Sequence, residues 1–222
     1  MRNYILGFCA IVLFSFTSKA QDIERYKELR VVSGLRVNIE NGDENKVVIT
    51  GSDADKINLS NDEGKIRLSV SLSGLLEERN YDIRVFVKDS IQVIDINQGS
   101  QVYLNTNLVQ DKIEIRVQEG ATFEGRTETK LMVLRAVSGG IINIQGLTSM
   151  LKLTVSTGGV VEGFDLNCSN ADVLAISGGN AQVSVYNILN AQVKFGGNIE
   201  FRGEPAVLNE KKVLGGSIEG NN

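Results

Sequence analysis

Downstream of about residue 90, apolar and polar positions alternate in short runs, and the runs return at a steady interval. The landmarks are glycine pairs: Gly139-Gly140, Gly158-Gly159, Gly178-Gly179, Gly196-Gly197 and Gly215-Gly216, with degenerate versions at Gly99-Ser100 and Gly120-Ala121. Counted between first residues, the spacings are 21, 19, 19, 20, 18 and 19. A period this regular signals stacked structural units. Two positions after each pair lie Val102, Phe123, Ile142, Val161, Ala181, Ile199 and Ile218. Two further on lie Leu104, Gly125, Ile144, Gly163, Val183, Phe201 and Gly220. The column between them is nearly all polar, which is the period of two expected of a strand with one buried face.

A second strand precedes each pair. Its inward columns read Ile94, Ile115, Leu134, Leu153, Val173, Ala191 and Ile96, Val117, Ala136, Val155, Ala175, Val193. In the last repeat these columns turn to Glu210 and Lys212, as a soluble terminal rung requires. Two strands within about 19 residues leave no room for a helical crossover of a dozen. The pattern predicts an all-β, right-handed parallel β-helix of about seven rungs, its hand taken from the general preference of parallel crossovers. A β-sandwich is the alternative, but it has no reason to repeat so evenly. Residues 21–90 hold strands in poorer register. Ile57-Asn58-Leu59 and Ile66-Arg67-Leu68 flank a hairpin signal at Asn61-Asp62-Glu63-Gly64. This region is expected to form β-hairpins capping the helix, with 91–222 as the repeats and their terminal rung, and 21–222 as one continuous domain.

Residues 1–20 read as a signal peptide: Arg2, an apolar Tyr4–Phe16 stretch, and small residues at Ser18 and Ala20, predicting cleavage before Gln21. A retained anchor is the alternative, against which Lys19 interrupts the apolar run. Cys9 follows Phe8, whereas lipidation wants a small residue there. No second apolar segment could span a membrane. The chain is therefore expected to be exported to the periplasm, the outer surface or the medium. The processed chain is expected to keep one cysteine, Cys168, with no basic neighbour, which predicts a packed or idle thiol.

Composition narrows the chemistry. The net charge of -4 carries no footprint for nucleic acid. The complete absence of histidine removes an imidazole base and His-ligated metal. No cofactor or metal is expected.

These features resemble the family of the putative auto-transporter adhesin, head GIN domain. The matching residues are Val32-Ser33-Gly34-Leu35-Arg36-Val37, the repeated Ser-Gly-Gly turns, and the closing run Gly196-Gly197-Asn198-Ile199-Glu200-Phe201-Arg202-Gly203-Glu204-Pro205 with Gly215-Gly216-Ser217-Ile218. Phe201 stands where the family often has tyrosine. The resemblance covers roughly Tyr26 to Ile218 and implies a β-helix exported beyond the inner membrane of Gram-negative bacteria. It brings no catalytic residues.

The candidate binding residues are the outward ladder Tyr103, Glu124, Asn143, Glu162, Gln182 and Glu200, continued by Glu219, and the outward pair Arg116 and Arg135. The ladder could hold glycan or a cation, or be a solvated face with spaced charges. The arginines could hold a sulfated or carboxylated sugar, or form a surface ion-pair ladder with Asp95. Glu200 and Glu219 on adjacent rungs would approach the separation of about 5 Å used by retaining glycosidases. Asp53-Ala54-Asp55 and Asp43-Glu44 lack the spacing of a calcium loop. Asp89-Ser90-Ile91 matches a short O-glycosylation acceptor pattern. The leading expectation is a non-enzymatic surface protein binding glycan, matrix or another extracellular protein. A self-assembling envelope component (a homo-oligomer) and a polysaccharide-active β-helix enzyme are the rivals.

Overall fold

The computed structural model describes residues 18–71 and 80–221. The apolar segment Tyr4–Phe16 and Cys9 lie outside the described residues. The backbone is a parallel β-helix of about seven coils. Its body is five long strands, β9 (Gln101–Gln118), β10 (Thr122–Val137), β11 (Ile141–Ser156), β12 (Val160–Ile176) and β13 (Asn180–Lys194), each hydrogen-bonded in parallel to the next. Where the pattern predicts two short strands per repeat, each coil runs them into one bent strand. The stretch between them, such as Gln145–Met150, stays paired to its neighbours. The next coil is split into β14 (Asn198–Arg202) and β15 (Val207–Val213), which pair with the two ends of β13, and β16 (Ser217–Gly220) begins a further coil on β14.

The coil depends on its glycine corner. The residue before the first glycine, from Gln98 through Glu119, Ser138, Thr157, Ser177 and Phe195 to Leu214, has φ between 50° and 57°. The first glycine is also left-handed, for example Gly139 at φ 74°. Two successive left-handed residues make a type I′ turn. The Gly140 N–H closes it by donating to the Val137 carbonyl at 3.0 Å. The turns also bond to one another: Gly120 donates to Ser138 O and Gly139 to Thr157 O. The two glycines answer different demands. A Cβ on Gly158 would meet open space, so that residue supplies only its left-handed φ. A Cβ on Gly159 would sit 2.2 Å from the Ala136 carbonyl oxygen of the preceding coil, so that residue supplies only close approach.

The apolar columns meet inside. Val102, Phe123, Ile142, Val161, Ala181, Ile199 and Ile218 are all buried, as are both columns before the corner from Ile94 to Val193. One column alternates bulk with space: a Cβ on Gly125 would strike Leu104 Cβ at 2.6 Å. Between the two predicted strands lies a further buried set the pattern left unread. It includes Thr129, whose hydroxyl donates to Thr148 at 3.0 Å, and Cys168. Burial pushes the Cys168 thiol up to about 12. Gly203 of the closing motif has φ 91°, and its Cβ would lie 2.4 Å from the Val185 carbonyl oxygen.

The parallel stack begins further upstream than the even repeat does. β2 (Tyr26–Val31) and β3 (Arg36–Asn41) flank the turn Ser33-Gly34 and pair in parallel with β8 (Ile91–Ile96) and β9. They already form part of a coil. The excursion between them and β8 supplies the added strands: β4 (Lys46–Thr50), β5 (Ile57–Asp62), β6 (Lys65–Val70) and β7 (Asp82–Val87). β5 and β6 form the expected hairpin through Glu63-Gly64. β3 and β4 do not pair; β7 lies between them, parallel to β3 and antiparallel to β4. β1 (Ser18–Asp22) runs antiparallel on β4, so the expected cleavage point before Gln21 falls within it.

At the other end, Glu210 and Lys212 stand in register with the inward Ala191 and Val193. The Lys212 ammonium reaches the Ile218 carbonyl at 3.5 Å. Charges at inward positions blunt an edge that another chain could otherwise extend.

The two glycines of a corner should differ on substitution. Gly158→Ala is expected to cost about 1–2 kcal/mol, the penalty of a left-handed alanine. Gly159→Ala should cost more, because two backbones must separate. Urea denaturation of both variants checks the order; equal losses would contradict the close-approach role.

Candidate functional site

The two sets of candidate residues lie on the strand segments either side of the glycine corner. After the corner, Tyr103, Glu124, Asn143, Glu162, Gln182, Glu200 and Glu219 are consecutive partners in register, as the repeat predicts. Asn38 extends the row upstream. Arg36 lies over the Tyr103 ring, 5.9 Å from its centroid, and the Asn143 amide donates to Glu162 at 3.4 Å. This face is shallow: the hollow at Glu162, Gln182 and Glu200 measures about 100 Å3. Glu200 and Glu219 are register partners, but Glu219 is exposed near the chain end and does not line that hollow.

The segment before the corner is the indented one. Three clefts lie on it, two side by side across β8 and β9 and the third further along the stack. One of about 420 Å3 is lined by Gln92, Gln110, Lys112 and Glu114. One of about 320 Å3 is lined by Arg30, Asp95, Arg116 and Arg135. One of about 590 Å3 is lined by Lys152, Asp172, Asn190, Gln192, Asn209 and Lys211. In the last, the Asn190 amide donates to Asp172 at 2.7 Å and the Asn209 amide to Asn190 at 2.8 Å. An amide ladder of this kind orients polar groups along the groove at the spacing of the rungs, about 4.8 Å.

The cleft at Arg30, Asp95, Arg116 and Arg135 carries the largest net charge of the three. Arg30, Asp95, Arg116 and Arg135 are successive partners in one column. The expected ion-pair ladder between Asp95 and the two downstream arginines is corrected by the hydrogen bonds. Asp95 pairs with Arg30 at 3.5 Å and accepts from the Asn97 amide at 2.9 Å. Arg116 instead donates through Nε to Glu114 at 2.6 Å. That hydrogen bond, with the nearby carboxylates of Glu114, Asp95 and Glu28, holds the Arg116 guanidinium above its ordinary range despite partial burial. Arg135 is exposed and makes no ion pair among the described residues. Arg30 is the residue sequence reasoning missed, since only the parallel pairing of β2 with β8 brings it to Asp95.

The acidic loops are engaged by lysines. Asp53 accepts from the Asn80 N–H at 2.8 Å and pairs with Lys56 at 3.0 Å. The Asn80 hydrogen bond, with Lys56 second, holds its carboxyl below the usual range. Glu44 pairs with Lys46. Among the described residues, no three His, Cys, Asp or Glu side chains are grouped as a metal site, and no helix is long and apolar enough to cross a membrane.

The fold is a parallel β-helix with open polar clefts along one of its faces. The sequence agrees: the family model described as putative auto-transporter adhesin, head GIN domain, matches residues 25–205. The chain belongs to that family. Three solved structures share its fold. A putative adhesin from Bacteroides fragilis is 12% identical with a TM-score of 0.83, over 94% of this chain and 98% of that one. A putative adhesin from Parabacteroides distasonis is 20% identical with a TM-score of 0.73, over 93% and 97%. A putative lipid binding protein from Parabacteroides distasonis is 16% identical with a TM-score of 0.69, over 95% and 98%. No curated protein matches the chain.

The Asp95 carboxylate is only 6% exposed, and it is the acceptor that both Asn97 and Arg30 depend on. Asp95→Ala is expected to cost about 1–3 kcal/mol by stranding a buried amide and a guanidinium. Arg30→Ala should cost less, about 0–1 kcal/mol, because Arg30 is 44% exposed and its pair is screened. Denaturant titration of both variants checks this; the reverse order would mean that Arg30, not Asp95, holds the site together.

Proposed function

We propose that this chain is an exported, non-enzymatic surface protein that binds glycan through the groove before the glycine corner. One observation carries the reading: the clefts adjoin one another over the face before the corner and are walled by arginine, lysine, asparagine and glutamine. Such side chains recognise hydroxyl and carboxylate groups of a chain laid along them. The groove's acids support binding over catalysis. Asp95, Glu114 and Asp172 are each held as hydrogen-bond acceptors within the protein and Asp111 is paired with Lys130, so that Glu210 has no second free acid among the described lining residues to act with across a bond to be cut. Export rests on the signal-like residues 1–20 and on the adhesin family. The outward ladder from Tyr103 to Glu200 is a secondary face in this proposal. The hydrogen bond from Asn143 to Glu162 within the row supports a solvated sheet surface.

Self-assembly is the second reading, favoured by exposed Phe195 and Leu214 near the C-terminal end. The charged Glu210 and Lys212 oppose it there.

A glycan array probed with residues 21–222, with and without calcium, tests the function. The expected result is reproducible, calcium-independent binding to one sugar class, abolished in an Asn190→Ala/Gln192→Ala groove variant. Silence on the array, with association that rises with concentration in light scattering, would overturn glycan binding in favour of self-assembly.

A further inference from the structure

We propose that Arg30, Arg116 and Arg135 form a receptor for one oxyanion carried on a sugar, a uronate carboxylate or a sulfate ester, so that the groove selects acidic glycans. This rests on the glycan-binding reading and deepens it. The column places Arg116 and Arg135 side by side on adjacent coils, about 4.8 Å apart in backbone spacing. Like charges in that position repel. The next partner of Arg135 along the column is Thr154, which brings no compensating carboxylate.

Two of the local acids are already committed. Asp95 is bonded to Arg30 and Asn97, and Glu114 to Arg116. The lining of the cleft itself holds three guanidinium groups and one carboxylate, Asp95, while Glu114 and Glu28 act on Arg116 from beside it; Arg135, with no ion pair among the described residues, is the charge that an incoming monoanion would meet. Donors remain to hold it. Arg116 uses Nε for Glu114, and its two Nη groups are further donors in the same plane; Arg135 has its whole fork. A guanidinium fork fits both carboxylate and sulfate oxygens. Asp95 contributes by position: buried between Arg30 and Arg116, it anchors the upstream side of the cleft without adding an exposed negative charge. The volume of about 320 Å3 suits a single substituted ring, while the neighbouring clefts carry the chain onward along the groove.

The test uses three fluorescent oligosaccharides of equal length: oligogalacturonate (carboxylates only), dextran sulfate (sulfates only) and neutral dextran. Fluorescence polarisation is read at low and at high salt. Binding is expected for one or both anionic oligomers, weakening with salt, and at least about tenfold weaker in Arg116→Gln and Arg135→Gln. Arg126→Gln, which removes the same charge outside the cleft, should bind like the parent chain. Circular dichroism establishes that each variant is folded. Anionic binding that survives both cleft substitutions, or falls equally with Arg126→Gln, overturns the receptor and leaves the groove reading standing. Binding to neutral dextran alone does the same. If all three sugars are silent, and vesicles containing anionic phospholipid bind the parent chain but not the Arg116 and Arg135 variants, the oxyanion is a lipid phosphate and both glycan readings fall.

Discussion

The structure depends on a contact that leaves no room for a side chain. At four successive corners the second glycine of the pair presses against a backbone carbonyl of the coil before it: Gly140 on Val117, Gly159 on Ala136, Gly179 on Val155 and Gly197 on Ala175. That closeness lets successive turns hydrogen-bond to one another as well as to themselves. Because the turns stack without slipping, the strand segments on either side of them are held in register with their counterparts above and below, and the register shifts fall away from the corners, as at Gly125/Arg126 and Gly163/Asn167. The buried columns, the outward ladder and the row of arginines are all consequences of that register. A one-residue slip would move each inward side chain to the surface.

Much of this was legible because the constraint falls on residue type. Glycine pairs mark the corners, and alternation on either side fixes which residues face inward, so the columns from Val102 to Ile218 and from Ile94 to Val193 could be aligned on paper. The upstream part was harder to read for two physical reasons. Ser33-Gly34-Leu35 makes the same turn, but the residue in the second glycine's place is leucine, so the landmark is incomplete. The next corner then lies beyond an excursion of four strands, and the even spacing is lost. The pairing of β2 with β8 is a long-range event that no local pattern announces. It is also what delivers Arg30 to Asp95.

The site was legible in part for the same reason. Periodicity shows which residues share a column, so the Tyr103–Glu200 row and the Arg116–Arg135 pair were placed together correctly. Periodicity carries nothing about curvature. Which face would be indented depends on how the bent strands turn at their second corner, through residues such as Thr129 and Thr148 whose burial the two-strand reading did not anticipate. The clefts consequently lie along the arginine column rather than along the longer acidic row. Charge at inward positions had a clear meaning from the outset: Glu210 and Lys212 end the stack, and the lysine closes over the Ile218 carbonyl.

The stacking of the corners is the claim on which the rest stands, and hydrogen exchange reads it directly. Gly99, Gly120 and Gly139 are solvent-exposed, yet each N–H donates to a carbonyl of the neighbouring coil, at 2.9, 3.2 and 3.1 Å. Their amides should exchange slowly, on the scale of the buried strand amides of Ile142 and Val161, and should lose protection together with them as denaturant is added. Exchange at the rate of free loop amides, while the strands remain protected, would mean that the corners are independent turns and would contradict the account.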